Sequence, residues 1–182
     1  MAVGQRGTAA AAGGVRRAPA AASDALAEAI KTELGAAWLP RLYRERILPL
    51  RTRAYQLPAG GATEVAVQHT LLGVELKVGR RRLSCPDLAT ARYLAVFARA
   101  GVAAVAVPYD ITRTSPLADE LESSWQRMLL LVERDAAGRT PAFRARVRRR
   151  LLEAARREME EAGAGAPVPQ FNQNTKQRPG RA

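Results

Sequence analysis

Three side chains in one short stretch of this chain could do chemistry together. Glu75 and Lys77 stand two residues apart in the segment Gly73-Val-Glu-Leu-Lys-Val-Gly79. On a strand that spacing points both to one face, and Val74, Leu76 and Val78 to the other. Glu64 opens the preceding run, Thr63 to Thr70, where Val65 and Val67 alternate with Glu64, Ala66 and Gln68. An antiparallel hairpin of the two runs would bring Glu64, Glu75 and Lys77 to one end of a sheet. Two carboxylates are hard ligands suited to Mg²⁺ or Mn²⁺. Such an ion polarises a phosphodiester and activates a water, and an ammonium beside it neutralises charge developing on the phosphorus oxygens. Glu64, Glu75 and Lys77 are therefore the catalytic candidates, with Glu64 and Glu75 as metal ligands. The competing reading is three solvated residues on the polar face of an ordinary hairpin.

Lys77 stands out by type. Of the 29 basic residues only Lys31, Lys77 and Lys176 are lysine; the others are arginine. An ammonium is a compact point charge and a guanidinium a planar fork, so the two are not interchangeable at a tight site. Arg80, Arg81 and Arg82 follow the Glu-x-Lys strand directly and are candidate phosphate clamps. His69, one residue before a turn, and Asp110, at the end of a buried strand, are weaker candidates for a base and a late acid. Cys85 precedes Pro86 at a helix start, where a thiolate can be favoured; the buried-cap reading is the stronger one.

Charge separates the chain into three parts. Residues 1–58 carry nine basic and four acidic side chains, residues 59–138 nine of each, and residues 139–182 eleven basic and four acidic. A neutral body with cationic flanks, at a net charge of +12, suits DNA or RNA better than a compact metabolite. On the last flank Arg144, Arg148 and Arg149 are the nucleic-acid-binding candidates. One His and one Cys exclude a His/Cys zinc cage and an intrachain disulfide. No apolar run approaches the roughly 20 residues of a membrane span, so no membrane partner is expected. A cytoplasmic location follows, with association to the nucleoid as the alternative.

The elements that must position these residues read as follows. Residues 1–22 form a disordered basic tail, with a transit peptide as the alternative. Ser23 or Asp24 caps a helix to about Trp38, striped by Leu26, Ile30, Leu34 and Trp38. A short helical piece, Arg41 to Ile47, lies between Pro40 and Pro49. Three strands follow as an antiparallel meander: Arg51 to Leu57, Thr63 to Thr70 and Val74 to Val78. Ser84 with Asp87 opens a helix to Ala100 that is apolar nearly all round. Val102 to Val107 is a covered strand in the meander's sheet. Ser115-Pro116 and Thr140-Pro141 each start a helix, the second running to about Ala162. Residues 163–182 form a second disordered tail. The organisation is thus one α/β domain over 23–135, an Arg-rich helix over 139–162, and two tails.

An acid on one strand, Glu-x-Lys on the next, then a helix and a strand resembles the PD-(D/E)XK nuclease superfamily, nearest to its VRR-Nuc and Holliday-junction-resolvase-like group. The stretch is GVELKVGRRRLSCPDLATARYLAVFARAGVAAVAV, and the resemblance spans about residues 24–108. It implies a restriction-endonuclease-like core of mixed α/β (α+β) class: helix, three-strand antiparallel meander, helix, strand, then two C-terminal helices. It further implies Mg- or Mn-dependent phosphodiester cleavage by Glu64, Glu75 and Lys77, with Glu28 or Glu33 as an additional acid. Thr63-Glu64 stands where the family has Pro-Asp. Two readings without cleavage stand beside it: a nucleic-acid-binding or assembly module on the same fold, and a protein-docking module, as homodimer or with another protein, through the Trp125 helix.

Overall fold

The computed structural model describes residues 18–58 and 64–166. Helix α1 (Ala18–Leu34) passes through a 3₁₀ turn into the short α2 (Leu39–Leu42) and a π-helical turn, Tyr43–Ile47. Five strands and three helices follow: β1 (Thr52–Gln56), β2 (Val65–Thr70), β3 (Gly73–Val78), β4 (Arg81–Cys85), α3 (Leu88–Ala100), β5 (Ala104–Pro108), α4 (Ile111–Asp135) and α5 (Pro141–Ala162). The class is mixed α/β, with a helix, a three-strand antiparallel meander, a helix, a strand and two closing helices in that order.

The meander consists of β2, β3 and β4, one strand later along the chain than expected. The added strand is Arg-Arg-Leu-Ser-Cys, which reads as a loop because it begins with charge. Leu83 and Cys85 nevertheless turn inward while Arg82 and Ser84 face out, and charged residues are how an edge strand avoids pairing with another chain. Gly79, at φ 58°, makes the tight turn into it. The strand displaced from the meander, β1, pairs antiparallel with β5, from Thr52 opposite Pro108 to Gln56 opposite Ala104. β5 therefore lies outside the meander's sheet, in a separate two-stranded sheet.

Three helix starts also differ from expectation. Ser23 is inside α1, its hydroxyl donating to the Ala20 carbonyl at 2.8 Å; the alanines before it favour helix strongly enough to extend the element. Asp87, rather than Ser84, caps α3, accepting the Thr90 N–H at 2.7 Å. Asp110 caps α4, accepting the Thr112 N–H at 3.0 Å, so the helix begins four residues before Ser115 and Pro116 lies within it. The Thr140 cap of α5 and the Pro141 start stand where expected.

α3 is the centre of the molecule. Its residues are buried on nearly every side, including Tyr93, Leu94, Val96 and Phe97. Leu76 and Val78 of β3 lie against it from the sheet, and α4 and α5 cover the other side. α5 contributes Val147, Leu151, Ala155 and Met159 to the same core, so the Arg-rich helix belongs to the main domain rather than forming an appendage. A hydrogen-bond chain fixes the layers where the core turns polar. The Ala106 N–H donates to the Tyr43 hydroxyl at 2.9 Å, and that hydroxyl donates to the Gly163 carbonyl at 2.7 Å. Tyr93 donates to the Ala106 carbonyl at 2.6 Å. These bonds satisfy two buried phenols whose desolvation would otherwise be costly. Beyond α5 the chain doubles back to β1, where Ala166 bridges Arg53 and accepts the Ala54 N–H at 2.6 Å. The close approach requires glycine: a Cβ on Gly165, at φ 79°, would meet the Thr52 hydroxyl.

The remainder of the two expected tails, residues 1–17 and 167–182, lies outside the described residues.

Candidate functional site

The antiparallel register decides which candidate residues meet. The two-residue link Leu71-Leu72 pairs Gln68 with Glu75 and Ala66 with Lys77. β4 adds Ser84 opposite Glu75 and Arg82 opposite Lys77. The polar face therefore reads in rows: Gln68, Glu75 and Ser84 in one, Ala66, Lys77 and Arg82 in the next. Glu64 begins a third row, since its carbonyl accepts the Gly79 N–H at 2.9 Å.

Lys77 reaches into the outer row and pairs with Glu64, Nζ to Oε1, at 3.0 Å. Arg82 leans the other way, its Nη1 3.6 Å from Glu75 Oε2. The structure thus brings Lys77 to Glu64 but does not bring Glu64 to Glu75. Four residues of ladder, about 13 Å of strand, separate their backbones, and the row between them holds two cations. Each carboxylate has its own positive partner, so the face is internally neutral. The Lys77–Glu64 pair is largely exposed and contributes little, on the order of 0–1 kcal/mol.

One feature of this face would suit a cation: Glu75 Oε2 is buried and has no hydrogen-bond partner among the described residues. Arg82 stands beyond hydrogen-bond distance but close enough to compensate the charge. A divalent ion at that oxygen would have one carboxylate and would face the Lys77 and Arg82 charges of the neighbouring row. Among the described residues no group of three His, Cys, Asp or Glu side chains could hold a metal ion. The donor set, as the register arranges it, does not fit Mg²⁺ or Mn²⁺.

The acids expected from the first helix serve the helical layer. Glu33 pairs with Arg134 of α4 at 2.5 Å. Glu28 lines a cleft of about 240 Å³ between α1 and α5. Asp110 is occupied as a cap: hydrogen bonds from the Thr112 hydroxyl and N–H hold its carboxyl below the ordinary range, with a smaller contribution from the Arg113 charge. His69 is exposed beside the hairpin turn, opposite Val74. Cys85 is buried, and burial, ahead of a counteracting hydrogen bond, pushes its thiol up. It behaves as a small core residue rather than a nucleophile.

The arginines divide in the same way. Arg144 and Arg148 both grip Glu133 of α4, at 2.7 and 2.8 Å, and so join α5 to α4. Arg149 makes only a long contact to Glu153, 3.8 Å, and stays open to solvent. At the β3–β4 turn Arg80 and Arg81 are exposed, and among the described residues neither has a carboxylate within 4.0 Å.

Sequence reasoning missed a second cationic cluster. The pairing of β1 with β5 sets Arg51 and Arg53, at the start of one strand, beside Tyr109, just past the end of the other. The Tyr109 N–H donates to the Arg51 carbonyl at 3.0 Å. The guanidinium carbon of Arg51 is 5.1 Å from the Tyr109 ring centroid, and that of Arg53 is 6.0 Å away. The signal was available as Arg-x-Arg at the start of one strand and Pro-Tyr-Asp at the end of another, but only the strand pairing unites them.

No helix among the described residues is long and apolar enough to cross a membrane. Comparison of the chain with protein-family models, with curated proteins and with solved structures finds no match.

Proposed function

We propose that the protein is a nucleic-acid-binding module that holds DNA or RNA through arginines left over from ion pairing and has no cleaving centre on its sheet. The observation that carries this reading is how the arginines are distributed once ion pairs are assigned. Most carboxylates already have a cationic partner. Arg51, Arg53, Arg80, Arg81, Arg99, Arg127, Arg139, Arg146 and Arg156 have no carboxylate within 4.0 Å among the described residues. Surplus guanidinia on a folded body, together with a net charge of +12, favour a polyanion whose bound counterions are released on contact. Arginine forks match phosphate oxygens in pairs.

The nuclease reading differs in one requirement: a divalent ion shared by Glu64 and Glu75. The two cations between those carboxylates weigh against it. Binding of labelled single- and double-stranded DNA and RNA across a salt series tests the proposal, with an Arg80→Gln/Arg81→Gln variant beside the wild type. The expected result is weaker binding by the variant and a salt slope flatter by about 1 for each phosphate no longer neutralised. Equal binding and slope would remove these arginines from the interface. Mn²⁺-dependent cleavage by wild type that Glu75→Ala abolishes would overturn the non-cleaving reading in favour of the nuclease.

A further inference from the structure

At the open end of the β1–β5 ladder the strand termini and the first turn of α4 form a cleft of about 410 Å³, lined by Leu50, Arg51, Pro108, Tyr109, Asp110 and Arg113. Its composition is unusual for this surface. Leu50 and Pro108 make apolar walls, and Tyr109 is 43% exposed, one of few large apolar side chains open to solvent among the described residues. The Arg51 and Arg53 guanidinia lie over its ring at 5.1 and 6.0 Å from the centroid. Three guanidinia gather here against one carboxylate. That carboxylate, Asp110, is already taken up by Thr112 and touches Arg113 only at 3.9 Å.

We infer that this cleft seats one unpaired nucleotide of a single-stranded nucleic acid, the base on the exposed Tyr109 ring and the flanking phosphates on Arg51 and Arg113. The inference rests on the nucleic-acid reading above and names which form of nucleic acid this end of the molecule selects. An exposed aromatic with guanidinia beside it is the combination that single strands use: bases stack on a π-face or a guanidinium plane while the backbone follows the positive charge. A duplex keeps its bases stacked internally and would use the arginines alone. The site is also preorganised, since the Tyr109 N–H is tied to the Arg51 carbonyl and the ring is tied to two guanidinia.

The test is fluorescence anisotropy with labelled oligo(dT) and oligo(rU) and with a duplex of the same length. Wild type, Tyr109→Ala, Tyr109→Phe and Arg51→Gln/Arg113→Gln are compared, each first shown to unfold at the wild-type temperature. Tyr109→Ala should weaken single-strand binding at least fivefold, the scale of removing one base–aromatic stack, and leave duplex binding unchanged. Tyr109→Phe, which keeps the ring, should bind as wild type. The double arginine variant should flatten the single-strand salt slope by roughly 0.7 for each phosphate no longer neutralised. Free dTMP should not displace oligo(dT) at concentrations comparable to the strand; displacement at equal affinity would replace the strand by a mononucleotide and overturn the inference. Single-strand binding unchanged in Tyr109→Ala, or weakened equally in Tyr109→Phe, would overturn it too while leaving the broader reading intact. Wild type that binds neither single strand nor duplex would overturn both.

Discussion

The Glu158 carboxylate on α5 accepts the indole N–H of Trp38 at 3.0 Å. The same carboxylate takes the Lys31 ammonium at 2.5 Å and lies 3.4 Å from the Arg44 guanidinium. One side chain therefore gathers α1, the bend after it and the π-helical turn onto α5. An acid this close to the end of α5 opposes the helix dipole, and Glu158 is placed there for partners on other elements, whereas Glu161 pairs within the helix, 3.9 Å from Arg157.

Glu158→Gln should lower stability by roughly 1.5–3 kcal/mol, the range for hydrogen bonds to a charged group, measured by urea unfolding. Burial raises the Glu158 carboxyl, but the bonds from Lys31 and Trp38 and the charges of Lys31 and Arg44 outweigh it, so the folded-state value lies below the ordinary 4.5. A depressed carboxyl stabilises the fold above its unfolded value and loses that contribution as pH falls through the folded one. The stability gap between wild type and Glu158→Gln should therefore be full at neutral pH and close in acid below 4.5. A gap that is constant with pH would mean the carboxylate charge is not what holds the three segments.

Gly101→Ala should destabilise by about 1–2 kcal/mol, the cost of a left-handed conformation for a residue with a Cβ. Gly101 ends α3 at φ 77°, and the Arg156 guanidinium lies where that Cβ would go. Arg156 also donates to the Ala100 carbonyl at 3.4 Å, so the substitution displaces a capping cation as well. A double-mutant cycle with Arg156→Ala should show non-additivity, with Arg156→Ala costing less once Gly101 is replaced. Simple addition would mean that the guanidinium is indifferent to Gly101.

Lys77→Ala and Lys77→Arg should both leave stability within about 1 kcal/mol of wild type, as an exposed ion pair implies. Neither should alter nucleic-acid cleavage, because none is expected with Mg²⁺ or Mn²⁺. Isothermal titration of wild type with Mn²⁺ should show no site that Glu75→Ala removes. A saturable Mn²⁺ site absent from that variant would show that the sheet rearranges to join its carboxylates.

Truncation separates charge from core. Removing residues 167–182 takes away Lys176, Arg178 and Arg181 and no acid, and should flatten the salt slope of binding. Removing residues 139–182 takes Val147, Leu151, Ala155 and Met159 out of the core and should unfold the protein, since each large buried side chain removed costs on the order of 2–5 kcal/mol. A folded product of the larger deletion, by circular dichroism, would show that α5 is an appendage after all.

Local signals were legible where local chemistry decided the outcome. The all-round apolar pattern of α3 marked it as well buried, Thr140-Pro141 marked the start of α5, and alternation identified β2 and β3. Pairing partners were not legible in the same way, because β1 meets β5 across the whole intervening chain and neither run carries a mark of its partner. β4 was hidden by its arginines. The relation of Glu64 to Glu75 lay between these cases. Both residues were assigned to the correct face, but proximity on a face depends on register; the sequence reads as a turn through Leu71, Leu72 and Gly73, whereas the structure pairs Thr70 with Gly73 and leaves the two-residue link Leu71-Leu72. Counting outward from that link sets Gln68, not Glu64, opposite Glu75.

The return of the chain from α5 to Ala166 has a consequence for self-association. β1 is a short strand whose second side would otherwise present bare N–H and C=O groups to solvent. Ala166 occupies that side through its bond to Ala54. A chain ending at Ala162 would keep every helix and strand but uncover that edge, and would invite β1 of another copy to add to it. The short run after α5, with no regular structure of its own, thus acts as a plug against intermolecular β-pairing. The glycine at 165 is what lets the plug sit close enough to exclude a second strand.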